Sequence, residues 1–136
     1  MLTRRVRALA LLALVLTLST LLAACTQTTP EPLELSEKDS GSTQTLAMGQ
    51  QLVVTLESNQ TTGFRWAVDG QVPPQLKQAG EPVYESESTL VGAGGSEVWT
   101  FEAVSAGEGD LKLKYWRSFE PTATPAETFE VTVKVE

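Results

Sequence analysis

The chain has 136 residues, with 10 basic residues, 17 acidic residues, one cysteine and no histidine. The absence of histidine excludes the usual serine and cysteine catalytic triads, and a single cysteine cannot form an intramolecular disulfide. With a formal net charge of −7 the chain offers no basic patch to neutralise phosphates, so we expect no nucleic-acid partner.

The first residues have the pattern of an export signal. Three arginines within the first seven residues precede an uncharged apolar run, which is typical of a secretory signal peptide. The run is also near the length of a membrane span, so a retained anchor is the alternative. Residues 22–25, Leu-Ala-Ala-Cys, resemble the bacterial lipobox. That resemblance implies cleavage after residue 24 and lipidation of Cys25, leaving an exported protein anchored to the outer or cytoplasmic membrane and facing away from the cytoplasm.

The segment after the cysteine reads as a tether followed by one domain. Cleavage before Cys25 would remove three of the 10 basic residues and none of the 17 acidic ones, leaving 112 residues with a formal charge of −10. Residues 25–32 are polar, contain two prolines and show no sustained period, as a flexible tether does. We therefore predict a single domain over residues 33–136, beginning with an edge strand at Leu33 and Leu35.

Alternation of apolar and polar residues predicts β-strands along the whole domain. Turn signals rich in Gly and Pro separate the strands, and outside the signal peptide no window keeps a helical apolar period. We predict an all-β, immunoglobulin-like antiparallel sandwich. The residues predicted to face inward are Leu52, Val54 and Leu56; Phe64, Trp66 and Val68; Trp99, Phe101 and Ala103; Leu111, Leu113 and Tyr115; and Phe129, Val131, Val133 and Val135.

Antiparallel strands joined in sequence place alternate connections at opposite ends of a sandwich. The connections at 59–63, 92–95 and 118–126 should therefore share one end, provided that residues 69–82 contain no complete additional strand. Their composition is unusual for ordinary turns, with two threonines, several glycines, an arginine and an aromatic residue. Arginine and aromatic residues are enriched at interface hot spots, and glycine lets a backbone approach another surface closely.

These three segments together resemble the chagasin-type inhibitors of papain-like cysteine proteases. That family carries an Asn-Pro-Thr-Thr-Gly-aromatic-x-Trp loop, a Gly-x-Gly-Gly loop and an Arg-Pro-Trp/Phe loop, in this order. Gln60 and Ser118 stand here where the family has proline, which lowers the entropy lost on binding. The corresponding residues in this chain are Asn59, Gln60, Thr61, Thr62, Gly63, Phe64 and Trp66, then Gly92, Ala93, Gly94 and Gly95, then Arg117, Ser118 and Phe119.

The resemblance implies a reversible inhibitor that blocks a protease cleft. It places Thr61, Thr62 and Gly63 against the catalytic residues of the target, residues 92–95 on one lip of the cleft and residues 117–119 on the other. It also implies that the protein is not an enzyme, and we expect it to be a monomer without a cofactor. The alternative is a non-inhibitory adhesive surface module, because a sandwich fold does not settle function.

The acidic residues indicate no catalytic or metal site of their own. Glu85 and Glu87 share one face of a strand, where a solvated surface is the simpler interpretation than acid–base catalysis. The chain lacks the Asp-x-Asp spacing of a calcium loop, so we predict no metal site.

Overall fold

A computed structural model describes residues 28–136. The predicted signal peptide and the lipidation of Cys25 lie outside the described residues and remain predictions. No helix within the described range has the length and hydrophobicity that crossing a membrane requires.

The described part of the chain contains nine strands and two short 3₁₀ turns. The strands form a five-stranded sheet in the order β1-β3-β7-β5, in which β6 also pairs with β7, and a four-stranded sheet in the order β2-β9-β8-β4. Their bounds are β1 Leu33–Ser36, β2 Thr43–Leu46, β3 Gln51–Ser58, β4 Arg65–Val68, β5 Leu76–Gln78, β6 Val83–Ser86, β7 Gly95–Ala103, β8 Gly107–Trp116 and β9 Glu127–Val135.

The predicted all-β sandwich is confirmed, but both sheets are mixed rather than purely antiparallel. Strand β1 pairs in parallel with β3, and β2 pairs in parallel with β9, whereas the other pairings are antiparallel. The chain leaves the first sheet after β1 and joins the second at β2, so this N-terminal segment supplies an edge strand to each. Alternation of side chains is the same in both kinds of pairing, so the sequence pattern could not reveal strand direction.

The core lies between the sheets and is built from the alternate residues that the sequence indicated. The predicted inward residues of β3, β7, β8 and β9 are all buried, as is Trp66 on β4, whereas Phe64 and Val68 are partly buried against the core. Leu35 on β1, Leu46 on β2 and Leu76 on β5 complete it.

The connection at residues 69–82 does contain a strand, yet it leaves the order of the ends unchanged. Strands β5 and β6 both run antiparallel to β7, with Gln78 opposite Phe101 and Val83 opposite Val98. They are therefore two parts of one edge strand, interrupted at residues 79–82. As a result three connections meet at one end of the sandwich. We call them the first loop (59–64), the second loop (87–94) and the third loop (117–126), and together the rim.

Candidate functional site

The first loop is a 3₁₀ turn held by its own hydrogen bonds. Asn59 caps it, because its Oδ1 accepts from the backbone N of Thr61 at 3.2 Å and from the Thr61 hydroxyl at 2.6 Å. The Thr62 hydroxyl donates to the Asn59 carbonyl at 2.6 Å. The backbone N of Gly63 donates to the Gln60 carbonyl at 3.2 Å. These bonds shape the turn at Gln60, where the family motif has proline.

The exposed threonines of the first loop offer acceptors more than donors. The backbone N–H groups of Thr61, Thr62, Gly63 and Phe64 all have acceptors within the loop, and both threonine hydroxyls donate to Asn59. What the two hydroxyls retain for a partner is their oxygen lone pairs.

Contacts with the third loop fix the far side of the first loop. Gly63 ends the turn in the left-handed region, with φ at 80°, and a Cβ built on it would lie 3.0 Å from a ring carbon of Phe119. Arg117 donates from Nε to the Thr62 carbonyl at 3.1 Å, and its guanidinium lies 4.3 Å from the centre of the Phe64 ring. Arg117, predicted as a contact residue, therefore also joins the first and third loops, while Phe119 is 67% exposed.

The second loop meets the first through a single side chain and carries an exposed apolar tip. Asn59 donates from Nδ2 to the Gly92 carbonyl at 3.4 Å. Leu90 and Val91, which the sequence analysis did not select, are 76% and 104% exposed. The sequence does contain a signal for this exposed tip: two adjacent aliphatic residues stand directly before a glycine-rich turn.

Not all of the predicted second-loop residues lie on the surface. Gly92 is exposed, and Ala93 and Gly94 are half-buried. Gly95, predicted to contact a protease, is instead the buried first residue of β7. A Cβ there would overlap the Glu85 carbonyl on β6. The close pairing of β6 with β7 therefore gives this glycine a structural reason, and its contact with a protease stays a prediction.

An aromatic cluster supports the first loop from below. The Tyr115 ring stacks on Phe64 with centroids 5.2 Å apart and packs against Trp66 at 5.2 Å. The Tyr115 hydroxyl accepts a hydrogen bond from the backbone N of Asn59 at 2.9 Å. The cluster thus joins β4 and β8 to the base of the first loop.

A buried carboxylate lies beside this cluster. Glu97 is 4% exposed on the inner face of β7. Its Oε1 accepts from the hydroxyl of Ser58 at 2.7 Å and from the backbone N of Trp66 at 3.3 Å. Sequence reasoning missed Glu97, although continuing the inward alternation of Trp99 and Phe101 back by one step would have found it.

Acidic side chains outnumber basic ones around the rim and on the strand ends beside it. A hollow of about 320 Å³ between the loops is lined by Glu57, Glu87 and Glu127 as well as by Tyr115. Arg117 has a carboxylate neighbour, since its Nη1 lies 3.7 Å from Glu120 Oε2. Within residues 28–136 no group of three or more His, Cys, Asp or Glu side chains could hold a metal ion.

Comparison with known proteins connects this geometry to a family of inhibitors. Residues 45–133 match the family model described as "Chagasin family peptidase inhibitor I42". The chain is 30% identical over 105 residues to chagasin of Trypanosoma cruzi, an alignment that covers 74% of this chain and 96% of chagasin. It is also 30% identical over 105 residues to amoebiasin-1 of Entamoeba histolytica, covering 76% of this chain and 100% of the relative.

Solved structures agree on the fold. The cysteine protease inhibitor EhICP2 from Entamoeba histolytica superposes with a TM-score of 0.70 at 20% identity, covering 78% of this chain and 96% of that one. PbICP-C, solved in complex with falcipain-2, superposes with a TM-score of 0.52 at 22% identity, covering 78% of this chain and 92% of that one. Because the family model covers the chain from within β2 to within β9, including all three rim loops, the chain belongs to the chagasin family of peptidase inhibitors and is not an enzyme.

Proposed function

We propose that this protein blocks the active-site cleft of papain-like cysteine proteases by inserting its first loop, with the second and third loops on the flanks. Inhibition of cysteine proteases is the function that the family and its structural neighbours support. The loop-by-loop mode of binding and the papain-like class of target go beyond that support and are our proposal.

The observation that carries the proposal is the mutual bracing of the three loops. Asn59 joins the first loop to the second, and Arg117 joins the first to the third. The base of the first loop is tied to Tyr115 in β8. A tip held in this way loses little conformational entropy on docking, which favours binding by a small surface.

The chemistry of the rim favours a cleft that supplies hydrogen-bond donors and apolar flanks. The threonine hydroxyls and the backbone N–H groups of residues 61–64 already donate within the loop, so the Thr61 carbonyl and the hydroxyl lone pairs of Thr61 and Thr62 are left to accept hydrogen bonds from the partner. On the flanks Leu90, Val91 and Phe119 expose apolar surface that would be removed from water on docking.

Inhibition by occupation of the cleft requires no chemistry from the inhibitor. None of the rim residues is a cysteine, so the rim itself offers no thiol for a mixed disulfide. The inhibitor would therefore dissociate unchanged, and we propose that binding is reversible and that the protein acts as a monomer.

We further propose that a lipid on Cys25 anchors the protein to a membrane. Support comes from the lipobox resemblance of residues 22–25 and from the polar tether that follows. The rim lies at the end of the sandwich where β3 and β8 finish, and a tether of residues 25–32 would leave it accessible to soluble proteases.

The proposal is tested by inhibition assays with papain and a cathepsin L-like protease. Thr62→Arg puts a long charged side chain at the exposed tip, and we expect at least a hundredfold rise in the inhibition constant. Gln71→Arg is the matched control, because residue 71 is exposed at the opposite end of the sandwich. It should inhibit like the unchanged protein.

The same assays separate inhibition from the alternative function. Gln71→Arg should leave thermal stability unchanged, and Thr62→Arg should lower it only slightly, since the lost hydroxyl bond to the Asn59 carbonyl lies at an exposed position. A folded protein that fails to inhibit either protease at tens of micromolar would support the non-inhibitory adhesive module instead.

A further inference from the structure

The two stems of the first loop belong to different sheets, and one buried carboxylate accepts a hydrogen bond from each of them. Ser58 ends β3 in the five-stranded sheet, while Trp66 lies in β4 at the edge of the four-stranded sheet. Within residues 28–136, β4 pairs with β8 and with no strand of the other sheet. The backbone ladders therefore leave the separation of the two stems free, and side chains must set it.

Glu97 is placed to set that separation. It lies on β7, opposite Leu56 of β3, and its Oε1 receives the Ser58 hydroxyl from one stem and the backbone N of Trp66 from the other. Both donors reach the same oxygen. The Trp66 indole adds a second connection, donating to the Glu57 carbonyl at 2.8 Å.

The environment of Glu97 shows that this contact is specific and not a chance surface pair. The side chain is 4% exposed, and its nearest inward neighbours along β7 are the buried Gly95 and Trp99. A buried charged or polar group without partners is costly, so an acidic residue at this position requires the donors that the loop stems provide. If position 97 served only to fill the hydrophobic core, an apolar side chain would be sufficient there.

We propose that Glu97 is a positioning residue for inhibition: it holds the stems of the first loop so that residues 59–63 have their binding shape before the protease is met. Glu97 itself is buried and touches no partner. The proposal rests on the proposed function for its effect on inhibition, but its structural part concerns the free protein. If only a fraction of the free molecules has the competent loop shape, the observed affinity falls by that fraction.

The kinetic test compares Glu97→Ala with Glu97→Gln. In the alanine variant Ser58 and the backbone N of Trp66 lose their acceptor, and we expect association with papain to be about tenfold slower while dissociation changes less than threefold. Glutamine keeps an acceptor oxygen at the same reach and should restore the association rate to within about threefold. Ser58→Ala, which removes one donor and leaves the carboxylate in place, should slow association about threefold and serves if Glu97→Ala does not fold.

A control separates positioning from general stability. Val133→Ala removes buried volume from β9, opposite Gly109 and away from the rim. It should lower the melting temperature without changing the association rate. If it slows association as much as Glu97→Ala, or if the folded Glu97→Ala protein associates at the normal rate, the proposal is wrong.

Amide hydrogen exchange tests the proposal in the free protein, whether or not papain is the target. The amides of Thr62 and Gly63 are held by bonds within the loop, and Glu97→Ala should speed their exchange at least about fivefold more than Val133→Ala does. Equal exchange in the two variants would refute the positioning role. If Glu97→Ala speeds exchange as predicted but the unchanged protein does not inhibit papain, the proposed function is rejected and the positioning role remains supported.

Discussion

Gly63 allows the clearest separation of fold stability from inhibition. Its φ of 80° lies in the left-handed region, which costs a residue with a Cβ about 1–2 kcal/mol relative to glycine. Gly70 has φ at 87° but lies at the opposite end of the sandwich, with nothing within 4 Å of a built Cβ. At Gly63 the same Cβ would lie 3.0 and 3.2 Å from two ring carbons of Phe119.

Gly63→Ala and Gly70→Ala should therefore destabilise the fold to a similar extent but differ in inhibition. Each should lose about 1–2 kcal/mol of unfolding free energy, since the exposed Phe119 ring can move aside. In Gly63→Ala, however, the relaxed loop and displaced ring must return to the binding shape. Recovering about 1–2 kcal/mol on docking corresponds to a rise of roughly 5- to 30-fold in the inhibition constant.

Denaturant unfolding and inhibition assays on the two variants check this expectation. Gly70→Ala should inhibit within about twofold of the unchanged protein in spite of its lower stability. The reasoning is refuted if Gly63→Ala also inhibits normally, or if Gly70→Ala loses as much inhibition, because loss would then follow stability rather than rim geometry.

Three further substitutions or conditions test other parts of the rim and the fold. Val91→Asp, at the exposed apolar tip, should weaken inhibition about tenfold or more in a papain titration, whereas Met48→Asp at the opposite end should not. Tyr115→Phe deletes the acceptor for the first amide of the first loop and should cost about 1 kcal/mol in denaturant unfolding, with several-fold weaker inhibition. A hydrogen bond from Lys112 to Glu130 raises the pKa of the lysine above its usual 10.5. Its stabilising effect is present below pH 10.5 and lost as pH rises through the folded pKa, so the melting temperatures of Lys112→Gln and the unchanged protein should converge at alkaline pH while inhibition at neutral pH is unaffected.

The period-two pattern was sufficient to predict the sandwich and most of its core. Leu52, Val54 and Leu56 on β3 are buried as expected, and so are the inward residues of β7, β8 and β9. Burial on one face of a strand forces this alternation in any sheet. The pattern does not depend on strand direction, so the parallel pairings of β1 and β2 at the two sheet edges were not predictable from it.

The clustering of the three loops was also predictable, but their internal bonding was not. Because successive antiparallel strands alternate in direction, alternate connections lie at the same end of the sandwich. Strands β5 and β6 run in the same direction, so the interruption between them does not change this order. Whether Arg117 faces a partner or the Thr62 carbonyl depends on distances between loops that no local pattern encodes. For the same reason Gly95 reads as a loop residue in sequence, although strand pairing buries it.

The most direct test of the central claim is whether occupation of the protease cleft prevents binding. Binding of the purified protein would be measured by calorimetry with free papain and with papain whose cleft is filled by a covalently attached peptide inhibitor. If the first loop enters the cleft, the free enzyme should bind with sub-micromolar affinity and the filled enzyme should show no detectable binding. Equal binding to both forms would place the interface outside the cleft and contradict the account.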